Sequence, residues 1–191
     1  MKPHSLARYR AMDLFLFAVM AAVFESLIYT ASVRWFPGSA YTVSVTPLIT
    51  AIVLIRWGPW AGLHAALGGL VLCILSEAAP LQYAVYILGN LASLLSLPLL
   101  PLFGGKEEIT NRSGKALLFG LLVLALMQSG RALISIIFGA SPAAAAGFFT
   151  TESVTDLFTQ VSLWIVRRLD VVLEDQLRYL RRVQEEQNSE A

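Results

Sequence analysis

The sequence predicts an all-α, polytopic membrane protein with six transmembrane helices, both termini cytoplasmic, and an amphipathic helix after the last span. Three observations predict it. Of 191 residues, 57% are hydrophobic and only 14% charged, too few polar side chains to cover a water-soluble domain of this length. The apolar residues fall into runs of the kind that cross about 30 Å of hydrocarbon with about 20 residues each. Lysine and arginine collect in alternate connections between those runs, as they do on the cytoplasmic side of a membrane protein.

The expected spans are Met12 to Ala31, Val43 to Arg56, Pro59 to Ser76, Leu81 to Phe103, Ala116 to Phe138 and Phe148 to Val166. The first has no convincing small-residue cleavage site behind it and reads as a retained span. The second is short, with Pro47 near its start, where a missing backbone N–H is tolerated. Arg56 and Gly58-Pro59 then form a corner, because glycine and proline break the helix, while Trp57 and Trp60 are expected at headgroup level. Orientation follows from the short connections. Lys2, Arg8 and Arg10 precede the first span, Arg56 separates the second and third, Lys106, Arg112 and Lys115 separate the fourth and fifth, and Arg167 and Arg168 follow the sixth. The opposite connections contain only Arg34.

Two domains are expected, a transmembrane one over 1–168 and a cytoplasmic helix and tail over 169–191. Leu169, Val172, Leu173, Leu177, Leu180 and Val183 recur at helical spacing, with Asp170, Glu174, Asp175, Arg178, Arg181 and Arg182 on the other side. Such a helix is read as a solvated or interface-lying extension of the sixth span, against a dedicated partner contact. The tail from Glu185 to Ala191 is expected to fray.

Polar side chains are costly in a bilayer and should face the bundle interior. Here they concentrate in its outer half: Glu25 and Tyr29, Glu77, then Gln82, Tyr83, Tyr86 and Asn90, then Gln128 and Arg131, then Glu152, Asp156 and Gln160. Spacings of three, four, seven and eight place each set on one helix face. With Trp35, Phe36, Tyr41, Phe148 and Phe149 nearby, they describe a small-molecule pocket open to the outside. The expected ligand contacts are Glu25, Tyr83, Tyr86, Asn90, Gln128, Arg131, Glu152 and Asp156. The competing reading is an internal network that sets helix register, with Arg131 paired to Glu25 or Asp156. If Arg131 neutralises one acid, the remaining acids favour a cationic or amine-bearing ligand. Separately, Ala11, Ala18 and Ala22 share a face of the first span, and Gly62, Ala66 and Gly69 one of the third, spacings that let helices approach closely.

Six spans in under 200 residues, the pair Ala18-V-M-A-Ala22, and the corner R-W-Gly58-Pro59-W-A-Gly62 leading into a glycine-rich third span resemble the substrate-binding S component of an energy-coupling factor (ECF) transporter. The resemblance covers most of the chain. It implies capture of a vitamin or similar micronutrient from outside, beneath the loop between spans one and two. It also implies that Ala18 and Ala22 contact a separate transmembrane coupling subunit joined to two cytoplasmic ATPases, and that the S component topples in the membrane as ATP is used. The charged C-terminal helix departs from the compact forms of that family. The expected location is the cell membrane, multi-pass, in a bacterium.

The remaining chemistry excludes other classes. Gly104-Gly105-Lys106 lacks the GxxxxGK[ST] spacing of a phosphate loop, with Glu107 where Ser or Thr should stand, so ATP hydrolysis must come from other chains. Glu107-Glu108-Ile109-Thr110-Asn111-Arg112 matches the EExxxR form of CAAX-type intramembrane proteases, but His4 and His64 both precede it, where that chemistry needs later histidines; a solvated, mixed-charge turn explains it better. Ser129-Gly130 lacks the preceding glycine of a rhomboid-like nucleophile, Cys73 has no histidine near it in sequence, and no metal-ligand spacing occurs. His64 is expected as a packed or interface histidine. The protein is therefore read as a non-enzyme without cofactor or metal. The single cysteine excludes an internal disulfide, and the net charge of +1 gives no basic face for nucleic acid. The alternative from another class is a membrane scaffold resembling the cell-shape protein MreD, which would use the small-residue faces and the C-terminal helix and need no outer pocket.

Overall fold

The computed structural model describes residues 6–38, 43–169, 172–176, 178–180 and 182–183. Lys2, His4, Tyr41, Asp170, Leu177, Arg181 and the tail from Glu185, all used in the sequence reading, lie outside them. Among the described residues there are α-helices and 3₁₀ turns and no strands. Three helical stretches are long and apolar enough to cross a membrane: Ala7–Trp35, Thr46–Leu75 and Ser113–Ile137.

The first stretch belongs to α1 (Leu6–Trp35). The second is folded on itself into α2 (Thr46–Trp57) and α3 (Ala61–Leu75). Gly58 makes the corner, with φ +62° and ψ −121°, a conformation that a side chain would strain. The 3₁₀ turn Gly58–Trp60 completes it. Thr46 lies directly against Gly68, so α3 returns alongside α2 as the Gly-Pro corner predicts. Every residue of α2 is buried, as expected for a helix apolar on all sides. Pro47 stands in its first turn.

Contacts along the chain fix an alternating arrangement. Asp13 and Glu25 of α1 meet Arg56 and Thr46 of α2, so the two run antiparallel. Gly62 of α3 faces Leu91 and Leu94, and Gly69 faces Tyr86 and Asn90 of α4 (Pro80–Leu91). A short α5 (Gly105–Asn111) leads into α6 (Ser113–Ile137). The return leg consists of α7 (Pro142–Thr151) and α8 (Ser153–Val166), meeting at Glu152. Among the described residues, six helical legs therefore pack in an up-and-down bundle around α2.

Besides α1, which begins before and ends after the expected Met12 to Ala31, three boundaries differ substantially from the sequence reading. The fourth leg is α-helical only to Leu91 and continues as 3₁₀ turns, with Leu97 N–H donating to Leu94 O at 3.0 Å and Leu100 N–H to Leu97 O at 3.2 Å. Pro98 and Pro101 lack the N–H that an α-helix would use, and their rings crowd the carbonyls four residues back. The sixth leg starts at Pro142 instead of Phe148. Ser141 caps it, its Oγ accepting from Ala144 N–H at 3.2 Å; a Ser-Pro start before an alanine run is a legible helix signal.

The third difference is at the C-terminal end. The described residues do not extend α8 into solvent. After turns at Arg167–Leu169, the chain lies across the base of the bundle, with Leu173 and Gln176 buried. Arg56 Nη1 donates to Val172 O at 2.9 Å, Thr110 Oγ1 to Leu173 O at 2.9 Å, and Tyr9 Oη to Gln176 Oε1 at 3.2 Å. Lys106 pairs with Asp175 at 3.2 Å, and Arg178 with Glu107. Hydrogen bonds to otherwise orphaned carbonyls explain why this segment docks instead of projecting.

Candidate functional site: a cleft over a braced polar floor

The polar side chains expected to bind a ligand are, for the most part, bonded to one another. Glu25 is 1% exposed. Its Oε2 accepts from Ser44 Oγ at 3.0 Å, Val45 N–H at 2.9 Å, Thr46 N–H at 3.2 Å and Thr46 Oγ1 at 3.0 Å. The first N–H groups of a helix have no intrahelical acceptor, and its N-terminus favours negative charge. Glu25 of α1 therefore caps α2 from a neighbouring helix. Ser44 N–H donates in turn to Thr155 Oγ1 at 3.1 Å, drawing α8 into the same node.

Arg131 forms a second node. Its Nη1 donates to Glu152 Oε1, its Nε to Asn90 Oδ1 at 2.7 Å, and its guanidinium lies 4.9 Å from the Tyr86 ring centroid. Asn90 Nδ2 donates to Ala65 O at 2.9 Å. One buried cation thereby ties α3, α4, α6 and the α7–α8 junction together. Its carboxylate partner is Glu152, not Glu25 or Asp156, because Glu25 is held at the α2 N-terminus and Asp156 accepts from Gln128 Nε2 at 3.2 Å. The break between α7 and α8 falls at Glu152, yet Glu152, Asp156 and Gln160 still share the face turned to α6, meeting Arg131, Gln128 and Gly120 respectively. Glu152 Oε2 is buried with no donor among the described residues.

The backbone is shaped around this node. A methyl group on Gly89 would sit 2.7 Å from Arg131 Cα and N, and one on Gly130 would fall on the Gly89 carbonyl and 2.6 Å from Ala92 Cβ. Only glycine at both positions lets α4 and α6 approach closely enough for Arg131 to reach Asn90.

Above the floor, at the end of the bundle reached by the turn after α1, lies a cleft of about 510 Å³. Tyr29, Ser32, Val33 and Phe36 form one wall, Leu72 of α3 and Ser76 just past its end another, and Gln82 and Tyr86 of α4 a third. Among the described residues no charged side chain lines it. Of the eight expected contacts only Tyr86 does; Tyr83 is half-buried on α4 outside the lining, and Glu25, Asn90, Gln128, Arg131, Glu152 and Asp156 are engaged beneath. Tyr86 is shared by both layers, with Phe148 of α7 edge-on to it at 6.0 Å. Tyr29, Ser32, Val33 and Phe36 have the 0, 3, 4, 7 spacing of one helix face, a signal that the expected end of the first span at Ala31 concealed.

At the opposite end the corner arginine has a partner the sequence reading missed. Arg56 Nε and Nη2 donate to the two oxygens of Asp13 at 2.9 and 2.8 Å, and Trp57 Nε1 donates to Asp13 Oδ2 at 2.6 Å. Trp57 is thus buried among the helices, whereas Trp60 is exposed. His64 is a packed histidine, its Nε2 3.0 Å from Leu14 O. A second cleft of about 450 Å³ lies between α5 and the C-terminal segment; its Lys106 and Glu107 are already paired across it. Glu108 accepts from Lys115 and Arg112, each at 2.9 Å, and the Lys115 hydrogen bond followed by the Arg112 charge holds its carboxyl below the usual range. The EExxxR segment is accordingly a short helix of mixed charge instead of the expected turn. Among the described residues no group of three His, Cys, Asp or Glu side chains is placed to hold a metal.

On α1, Phe17, Ala21 and Glu25 face inward, Ala18 and Ala22 are half-exposed, and Phe15, Leu16, Val19 and Val23 face out. Comparison with family models, with characterised proteins and with solved structures returns no match.

Proposed function

We propose that this chain is the substrate-capture subunit of an ECF-type importer in a bacterial cell membrane, with six spans and both termini in the cytoplasm. The observation that supports it best is the 510 Å³ cleft beside Pro37, Gly38 and Val43, described ends of the connection from α1 to α2, where such a subunit would receive a micronutrient from outside. The cleft is lined by aromatic rings, aliphatic side chains, hydroxyls and one amide, while Glu25, Glu152 and Asp156 are bonded to partners outside its lining. This chemistry favours an uncharged, ring-bearing micronutrient over the cationic or amine-bearing one that composition alone suggests. Energy would come from a transmembrane coupling subunit with two ATPases, docking against the outward side of α1 at Ala18 and Ala22.

The test is native mass spectrometry of gently purified protein for a co-purified small molecule. Gln82→Ala and Tyr29→Ala are the informative variants, because Asn90 and Glu152 belong to the brace and their loss would disturb folding and binding together. The expected result is a bound molecule retained by the wild type and lost from both variants at unchanged melting temperature; equal retention in both would remove the cleft from the proposal. Coupling has its own readout. Ala18→Trp and Ala22→Trp are expected to abolish co-purification of the coupling subunit while ligand retention persists, and normal association in both would reject that surface.

A further inference from the structure

An apolar groove of about 580 Å³ runs along the outside of α3 at the end opposite the ligand cleft, lined by Pro59, Trp60, Gly62, Leu63, Ala66 and Leu91. It exists because Gly62 and Ala66 leave little between Leu63 on one side and Leu91 of α4 on the other. Pro59, Leu63 and Ala66 follow one another at four and three residues, so the channel extends along the helix for roughly two turns, about 10 Å. At its mouth the guanidinium of Arg10 lies 4.7 Å from the centre of the Trp60 ring. No carboxylate pairs with Arg10 among the described residues, so its cation–π contact leaves a positive charge beside the groove.

We propose that this groove binds one anionic phospholipid, its phosphate against Arg10 and Trp60 and an acyl chain between Leu63 and Leu91. Charge complementarity selects this occupant. A tryptophan and an arginine stand together where an apolar channel begins, the arrangement suited to the boundary between headgroups and hydrocarbon. A second helix, about 10 Å across with its side chains, would meet Leu63, which stands 60% exposed at the rim; an extended chain needs only the channel. The assignment of this end to the anionic cytoplasmic leaflet rests on the orientation proposed above, but the groove and its cation do not depend on the transport reading.

The experiment reconstitutes the full chain into vesicles of equal parts phosphatidylglycerol and phosphatidylcholine, re-extracts it in mild detergent and counts retained lipids by native mass spectrometry. The wild type should retain one phosphatidylglycerol in preference to phosphatidylcholine. Arg10→Gln, which leaves the helix packing intact, should reduce that preference about fivefold, the effect of one basic residue near an anionic surface. Ala66→Phe, which fills the channel, should remove retention of both lipids at unchanged melting temperature. An undiminished phosphatidylglycerol preference in Arg10→Gln would overturn the headgroup assignment, and wild-type retention in Ala66→Phe would overturn the groove. Loss of a protein partner in Ala66→Phe with lipid retention unchanged would give the groove to a helix and also overturn the proposal. None of these readouts uses the micronutrient, so failure here and failure of the outer cleft are distinguishable.

Discussion

Glu152→Ala is expected to destabilise the protein by roughly 3–5 kcal/mol, because it leaves the Arg131 guanidinium buried without its counter-charge. The arginine cannot turn to another acid nearby. Glu25 is engaged by four donors at the α2 N-terminus, and Asp156 is bonded to Gln128. The loss should register as a lower thermal midpoint and earlier aggregation in detergent. Replacing both partners, as Arg131→Leu with Glu152→Leu, is expected to recover most of the stability, since the cost of a broken buried pair lies chiefly in the abandoned charge. Recovery should stop short of the wild type, because Asn90 Oδ1 then loses the donor that Arg131 Nε supplies at 2.7 Å. A Glu152→Ala protein that melts with the wild type would remove Arg131 as the hub of the fold.

The second large effect is expected at Gly130. Valine there would press on the Gly89 backbone carbonyl and on Ala92, atoms that cannot rotate aside as the tip of a long side chain can. The helices must separate, and Arg131, the next residue, moves with them. Overpacking of a tight core costs about 1–3 kcal/mol and occasionally more, and the displaced ion pair places Gly130→Val at or above the top of that range. Gly147→Ala provides the contrast. Nothing lies within 4 Å of a methyl group at Gly147, so the exchange should raise the melting temperature through helix propensity, worth up to about 1 kcal/mol. Equal midpoints for Gly130→Val and Gly147→Ala would mean that the α4–α6 apposition does not constrain the fold.

Spacing along a helix places residues on a face but does not say which face of which neighbour they meet. Tyr86, Asn90, Gln128, Arg131 and Asp156 were correctly read as inward-facing and close together, yet the same pattern fits a ligand pocket and an internal brace. The difference lies in pairings across elements far apart in sequence: Arg131 with Glu152, Gln128 with Asp156, Glu25 with the start of α2. Asp13 illustrates the same limit at the other end. It stands just inside the first apolar run and has no local signal, and only the antiparallel packing of α1 on α2 brings it to Arg56 and Trp57.

What the sequence by itself determined is the helical class, the apolar stretches long enough for a bilayer, the corner at Gly58-Pro59 and the packed state of His64. These follow from side-chain hydrophobicity and backbone restrictions that act within a few residues. The tertiary structure decided the rest: that most of the polar residues are a floor, that the cleft lies above them between α1, α3 and α4, and that the segment after Arg168 docks on the base. The physical reason is that a buried polar group must find a partner, and which partners are within reach depends on helix packing that no local pattern encodes.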